Sequence, residues 1–162
     1  MAIKVGDKIP SVKLKTMTKD GMKEMTTDEI FKGKVVLFAL PGAFTPTCSA
    51  QHVPGYVQKY DELRKAGVDE IWCVSVNDAF VMGAWARDQK TAGKVRMLAD
   101  GSAEFAQATG LTLDRTSAGM GIRIQRCSMI VKDGKVASLN VEAPGKFEVS
   151  DAATLLGQLR AA

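Results

Sequence analysis

The sequence predicts an α/β fold: a mixed central β-sheet with helices on both faces and an N-terminal β-hairpin. Three observations carry this expectation. Apolar runs at 34–40, 71–76 and 95–99 alternate with segments of helical spacing, the pattern of β-α-β crossovers. Asp20-Gly21 and Asp133-Gly134 each separate two strand-like runs, a strong hairpin signal. An amphipathic terminal segment begins at Ser150-Asp151 and turns Leu155, Leu156 and Leu159 to one side.

In chain order, Val12 to Thr18 alternates apolar and polar residues and pairs through Asp20-Gly21 with Met22 to Met25. Met17, Met22 and Met25 read as core filler, not as a metal-binding set. Thr27 before Asp28-Glu29-Ile30-Phe31 reads as the cap of a short helix that Gly33 ends. Lys34 to Leu40 is continuously apolar after its first residue, as in a strand buried on both faces. Pro46 to Lys65 reads as helix, with Tyr56, Val57, Tyr60 and Leu63 at helical spacing and a kink expected at Pro54-Gly55. Ile71 to Val76 is the next buried strand. Asn77 or Asp78 then caps a helix with Phe80, Val81, Ala84 and Trp85 on one stripe.

Val95 to Ala99 is strand-like, and Ser102 opens a short helix through Ala108 that Gly110 closes. A glycine-containing loop, Asp114 to Gly121, leads into one continuous strand from Ile122 to Val131, which Asp133-Gly134 turns into Lys135 to Val141. Hairpin, three β-α units, hairpin and helix make a thioredoxin-like architecture. No repeat, linker or low-complexity tract divides it, so residues 1–162 read as a single domain.

Composition narrows the function classes. Of 162 residues, 46% are hydrophobic and 25% charged, as in a soluble globular domain. The net charge of +4 is spread among acidic residues, without the concentrated basic face of a nucleic-acid binder. No apolar run is long enough to span a bilayer, and the first residues lack the apolar region of a secretory signal. Three dispersed cysteines and one histidine make neither a disulfide framework nor a zinc signature, so no metal and no cofactor are expected. A reducing, cytoplasmic location fits this cysteine usage.

The chemistry concentrates at the first β-to-helix turn, Pro41-Gly42-Ala43-Phe44-Thr45-Pro46-Thr47-Cys48. Thr45 is a good N-cap type and Pro46 suits the first helical position, which puts Cys48 in the first turn. Unpaired amides there favour an anion, and the thiolate is the reactive form of cysteine. Thr45 is near enough to share a pocket with Cys48, and His52 follows four residues later on the same side. Arg126 is a charge in an otherwise apolar strand, which calls for an anionic partner. On the residues alone Cys73 and Cys127 read as packing, since free cysteine is a small hydrophobe in most cores. No Cys-x-x-Cys pair, Walker loop or dinucleotide fingerprint is present.

The run Pro41 to Ser49 with His52-Val53-Pro54-Gly55 closely resembles the active-site motif of peroxiredoxins, in particular the type II, peroxiredoxin five-like branch. Val74-Ser75-Val76-Asn77-Asp78, Ala99-Asp100-Gly101 and Arg126-Cys127-Ser128-Met129 extend the resemblance over nearly the whole chain. It implies a thiol-dependent peroxidase in which Cys48 attacks hydrogen peroxide or an alkyl hydroperoxide and becomes a sulfenic acid. Thr45 and Arg126 would bind the peroxide oxygens, Pro41 would shield the thiolate, and Phe44 and His52 would line the pocket. The resemblance also implies a homodimer, with Phe44 and the Asn77 to Phe80 segment at its interface.

Reduction is where the chain departs from parts of the family. The stretch Ala143 to Ser150 carries none of the resolving cysteine of the animal members. Cys73 matches a cysteine of plant-like members and is the candidate resolving residue; Cys127 falls where the family usually has an aromatic residue. Either a Cys48–Cys73 disulfide forms, or a one-cysteine enzyme is recycled by glutathione and glutaredoxin, with thioredoxin as another reductant; the one-cysteine route is the preferred expectation. A redox sensor switched by Cys48 oxidation is the alternative function.

Overall fold

The computed structural model describes residues 2–161. β1 (Lys13–Thr18) and β2 (Gly21–Thr26) form the first hairpin, and α1 (Thr27–Ile30) follows. β3 (Lys34–Ala39) leads through a loop into a helix that starts at Pro46 and continues as α2 (Val53–Gln58) and α3 (Tyr60–Lys65). β4 (Glu70–Ser75), α4 (Ala79–Gln89), β5 (Arg96–Ala99) and α5 (Glu104–Thr109) complete the crossovers. Then come β6 (Thr112–Arg115), β7 (Gly121–Ile124), β8 (Cys127–Lys132), β9 (Lys135–Val141) and α6 (Ala152–Ala161).

Seven strands make one sheet in the order β2-β1-β5-β4-β3-β8-β9, with β6 and β7 paired separately. β3, β4 and β5 are parallel and the other pairings antiparallel, the mixed sheet expected of crossovers flanked by hairpins. Period-2 alternation divides the strands between two cores. Leu37, Ala39, Trp72, Val74, Cys127 and Met129 face α1 and α5, whereas Val36, Phe38, Leu40, Ile71 and Cys73 face α2, α3, α4 and α6. The second core also takes Tyr56, Met82 and Trp85, each almost fully buried and worth about 2 kcal/mol or more in apolar transfer. No helix among the described residues is long and apolar enough to cross a membrane.

Several expectations are corrected. Thr26, not Thr27, caps α1 by accepting from the Glu29 N–H, while the buried Thr27 hydroxyl donates to the Pro10 carbonyl. In α4 the buried residues are Ala79, Met82, Gly83 and Trp85; Phe80, about 100° round the helix from Ala79, is exposed. Asp78 does cap this helix, accepting from the Val81 N–H. Met22 is exposed, so only Met17 and Met25 serve as filler. α5 begins at Glu104, later than Ser102, because the Asp100 carboxylate accepts from the Phe105 and Ala106 N–H groups.

Two corrections bear on the site. The helix irregularity falls just before Pro54: Cys48 to His52 form a π-turn closed by the Val53 N–H on the Cys48 carbonyl, and the chain breaks again at Lys59. Pro54 has no N–H to continue the four-residue ladder, so a widened turn ahead of it costs little. The expected strand from Ile122 to Val131 is two strands. Ile122-Arg123-Ile124 alternates and pairs with β6, which lies where a loop was expected to begin, whereas Cys127 to Val131 is continuously buried, Ser128 included, and pairs with β3. Between them Gln125 leaves the main ladder, its N–H bonding to the Leu111 carbonyl.

Candidate active site

Sheet register gathers the site at one end of three strands. Ala39 of β3 stands opposite Cys127 of β8, which stands opposite Val141 of β9. One residue beyond that row come Leu40, Arg126 and Glu142, and the Glu142 N–H bonds to the Arg126 carbonyl at 3.0 Å. The break between β7 and β8 therefore puts Arg126 beside the loop that follows β3.

That loop is braced from several sides. Asn77 Oδ1 accepts from the Ala43 N–H at 3.0 Å and from the Ser75 hydroxyl at 2.7 Å. Arg123 donates to the carbonyls of Met120, Val76 and Pro41 at 2.8, 3.0 and 3.4 Å. Phe44 takes a left-handed backbone (φ 64°), a conformation that costs a residue with a Cβ about 1 kcal/mol or more. Its side chain is exposed with its ring 6.3 Å from Trp85, and it does not line the cavity that Pro41, Thr45 and Arg126 share.

Helix entry is as expected in its backbone and different in its side chain. The Ser49 N–H bonds to the Thr45 carbonyl at 3.0 Å, which places Cys48 in the first turn. The Thr45 hydroxyl, however, donates to the Gly42 carbonyl at 2.6 Å instead of capping the helix. Among the described residues the Thr45 hydroxyl oxygen accepts no hydrogen bond, and Thr45 lines the cavity. Trp85 Nε1 donates to Ser49 Oγ at 3.0 Å and ties α4 to the same turn.

Cys48, His52 and Arg126 come together. Cys48 is fully buried, and Arg126 Nη2 donates to its Sγ at 3.2 Å. Arg126 Nη1 donates to His52 Nδ1 at 2.9 Å, while His52 Nε2 lies 3.1 Å from the Ser150 carbonyl. Burial first, and the Arg126 charge second, push His52 down to about 3. It is therefore a neutral imidazole at physiological pH. A cavity of about 480 Å³ opens beside Arg126 and Thr45, with Leu113, Met120 and Pro144 as apolar walls; His52, expected to line it, is not among its walls and instead holds Arg126.

The other two thiols are kept out of this arrangement in different ways. Cys73 lies in β4 on the same face of the sheet as Cys48, fully buried, and burial raises its pKa well above the ordinary thiol value, with the nearby Cys48 adding to it. Cys127 faces the opposite core, and burial pushes it up to about 12. All three thiols are free.

A thiol held by a guanidinium at a helix start, beneath a small cavity, is equipped for nucleophilic attack on a neutral substrate. The Redoxin family matches residues 4–156. Peroxiredoxin sll1621 of Synechocystis is 43% identical over 173 residues, covering 96% of this chain and 91% of that protein. Peroxiredoxin-2B of Arabidopsis thaliana is 43% identical over 159 residues, covering 97% and 98%. The crystal structure of reduced Prx3 from Vibrio vulnificus in complex with H2O2 superposes with a TM-score of 0.93 at 52% identity, covering 97% of this chain and 99% of that one. The chain is a peroxiredoxin. As such it is a thiol-dependent peroxidase of the thioredoxin-like superfamily, the architecture and activity class expected from its sequence.

Sequence reasoning missed three groups that hold this peroxiredoxin's site. Arg123 reads as an ordinary strand residue, although a second arginine three positions before Arg126 could have signalled a shared task. Glu142 and Ser150 carry no local signal, because their contacts depend on strand register and on the path of the 143–150 loop.

Proposed function

We propose that Cys48 is the peroxidatic nucleophile and that Arg126 and Thr45 orient the peroxide against it. The carrying observation is the 3.2 Å contact from Arg126 Nη2 to Cys48 Sγ, in a chain where the partner cation comes from a remote segment, the break between β7 and β8. The thiolate sulfur attacks one peroxide oxygen; the S–O bond forms as the O–O bond breaks, leaving a cysteine sulfenic acid and an alkoxide or hydroxide that is protonated to alcohol or water. Arg126 supplies donors for the negative charge that moves onto the leaving oxygen. The Thr45 hydrogen is committed to Gly42, so its oxygen accepts from the peroxide O–H. Pro41 covers the thiolate, and neutral His52 anchors the guanidinium. Hydrogen peroxide fills little of a 480 Å³ cavity, which leaves room for the apolar group of an alkyl hydroperoxide.

For the return step we favour one-cysteine chemistry. Glutathione attacks the sulfenic acid, releasing water and leaving a mixed disulfide, which glutaredoxin then reduces. Supporting this over a Cys48–Cys73 disulfide, the Cys73 thiol is fully buried in a core strand and held protonated by that burial. A homodimer and a cytoplasmic location belong to the same proposal. Exposed Phe44 and Phe80 offer the apolar contact for a second copy, and sedimentation of Phe80→Glu against the wild type reads that contact.

Steady peroxide consumption with glutathione and glutaredoxin, abolished in Cys48→Ser, is the expected result. Stoichiometric oxidation without turnover under any thiol donor favours the redox sensor instead. Mass spectrometry of the peroxide-treated protein should find sulfenic acid or a glutathione adduct on Cys48; a Cys48–Cys73 linkage overturns the one-cysteine route.

A further inference from the structure

The carboxylate of Glu142 is buried and receives donors from one short stretch of the following loop. The Glu148 N–H reaches both its oxygens at 2.9 Å, the Val149 N–H reaches Oε2 at 2.9 Å, and the Ser150 N–H and hydroxyl reach Oε2 at 2.8 and 2.6 Å. Consecutive amides converging on one anion form a nest, and the ion pairs among the described residues do not include Glu142. Burial alone would raise this carboxyl, but the Ser150 hydroxyl and the three amides outweigh it and hold it below the ordinary range.

The same Ser150 turns its carbonyl the other way, to His52 Nε2 at 3.1 Å and to the Tyr56 hydroxyl at 2.8 Å. A carbonyl only accepts, so Nε2 carries the imidazole hydrogen. Nδ1 is then a lone pair, which suits Arg126 Nη1, a group that only donates. Phe147 from the same loop closes the cluster, its ring 5.1 Å from the His52 ring and 5.8 Å from Arg126 Cζ. Glu142 thus reaches Cys48 through Ser150, His52 and Arg126 without touching the thiol.

We propose that Glu142 is a positioning residue of the peroxidase site, fixing through the 148–150 turn both the tautomer of His52 and the aim of the Arg126 guanidinium. This rests on Cys48 and Arg126 acting as the thiolate and its cation. A carboxylate is needed because all its lone pairs accept, whereas an amide in the same place turns an NH2 group toward at least one of the converging N–H donors.

The test uses the full reduced chain. Its single histidine makes imidazole nitrogen NMR unambiguous. The wild type should show one protonated nitrogen, Nε2, and one unprotonated nitrogen, Nδ1, unchanged between pH 8 and pH 5. In Glu142→Gln those signals should move toward a mixture of tautomers. The single-turnover rate constant for hydrogen peroxide, measured without any reductant, should fall about tenfold or more, comparable to a lost charge-assisted contact. A rate that falls while the wild-type tautomer pattern persists leaves Glu142 a purely structural residue and overturns the proposal, as does an unchanged rate. Should Glu142→Gln not fold, Ser150→Ala, which removes only the hydroxyl contact to Glu142, takes its place. It should move both readouts in the same direction; no movement overturns the proposal, as does a protonated Nδ1 in the wild type. Failure of the underlying peroxidase reading looks different: the wild type itself then consumes peroxide no faster than Cys48→Ser, with its tautomer pattern intact.

Discussion

Acidification should destabilise this peroxiredoxin through His52 before most of its carboxylates titrate. His52 is fully buried between Phe38, Tyr56 and Phe147, with both ring nitrogens engaged. Protonating Nδ1 would set its new hydrogen against the Arg126 donor and add a charge beside a guanidinium. Glu142 and Asp151 favour the charged ring, but burial and Arg126 prevail and hold it down to about 3. In the unfolded chain the same ring titrates near its ordinary value, about 6.5. The unfolded state therefore binds the extra proton below that value, so stability is complete above it and drains as the pH falls from about 6.5 to about 3. At pH 5 the loss is RT ln(1 + 10^1.5), about 2 kcal/mol, and it stays near that figure for any native value below about 4. Urea unfolding of the wild type and of His52→Gln at pH 7.5 and pH 5 measures it. Asp100, Glu142 and the surface carboxylates titrate in both proteins and cancel in the comparison. The wild type should lose about 2 kcal/mol more than the variant. Equal losses in the two proteins would refute a neutral, doubly engaged His52.

Two further outcomes follow from the geometry. Arg126→Ala should lower the single-turnover rate of peroxide reduction by about 10²–10³-fold, as expected when a preorganised donor to developing charge is removed; stopped-flow mixing of the reduced protein with hydrogen peroxide reads it, and unchanged kinetics remove Arg126 from the chemistry. Gly33→Ala should destabilise the fold by about 2 kcal/mol in urea unfolding, because Gly33 has φ 75° and an added Cβ runs into the Asp69 carboxylate that caps the Lys34 N–H. Its activity per folded molecule should stay at the wild-type level.

Much of this was legible in the sequence, where local chemistry and global fold agree. Asp20-Gly21 and Asp133-Gly134 mark both long hairpins, and the runs after Lys34 and Glu70 are apolar enough to be central strands only. Cys48 is found from Thr45 and Pro46, and Arg126 from being a charge without a local reason. The failures share a cause: they depend on which neighbour a residue meets, not on what it is. The Thr45 hydroxyl has two acceptable partners, a helix amide and the Gly42 carbonyl, and only the loop's path selects the second. Phe80 is as apolar as Trp85, yet helix phase leaves it in solvent. The strand break before Cys127 is visible in retrospect as a change of period, from alternation at Ile122-Arg123-Ile124 to a run, Cys127 to Val131, whose only polar residue is Ser128.

Glu142 was hidden by a subtler device, one irregularity in the last hairpin. Val136 pairs with Val131, but Ile130 pairs with Ser138, so Ala137 is an extra residue in β9. Because side chains alternate with a period of two, that residue reverses the facing of everything after it. Val136 and Leu139, three apart, consequently pack on the same core. Ser138 and Asn140 turn to the other face, where both bond to Gln158 of α6. Glu142 shares their parity and so enters the face that holds α2, α6 and His52. Without the bulge, Val141 would take its place beside Arg126 and Glu142 would be carried one step further along the strand, away from the 148–150 amides. The bulge at Ala137, remote from the thiol in both sequence and space, is thus what aligns the end of β9 with the start of β8 so that an acidic residue, and not an apolar one, anchors the loop behind His52.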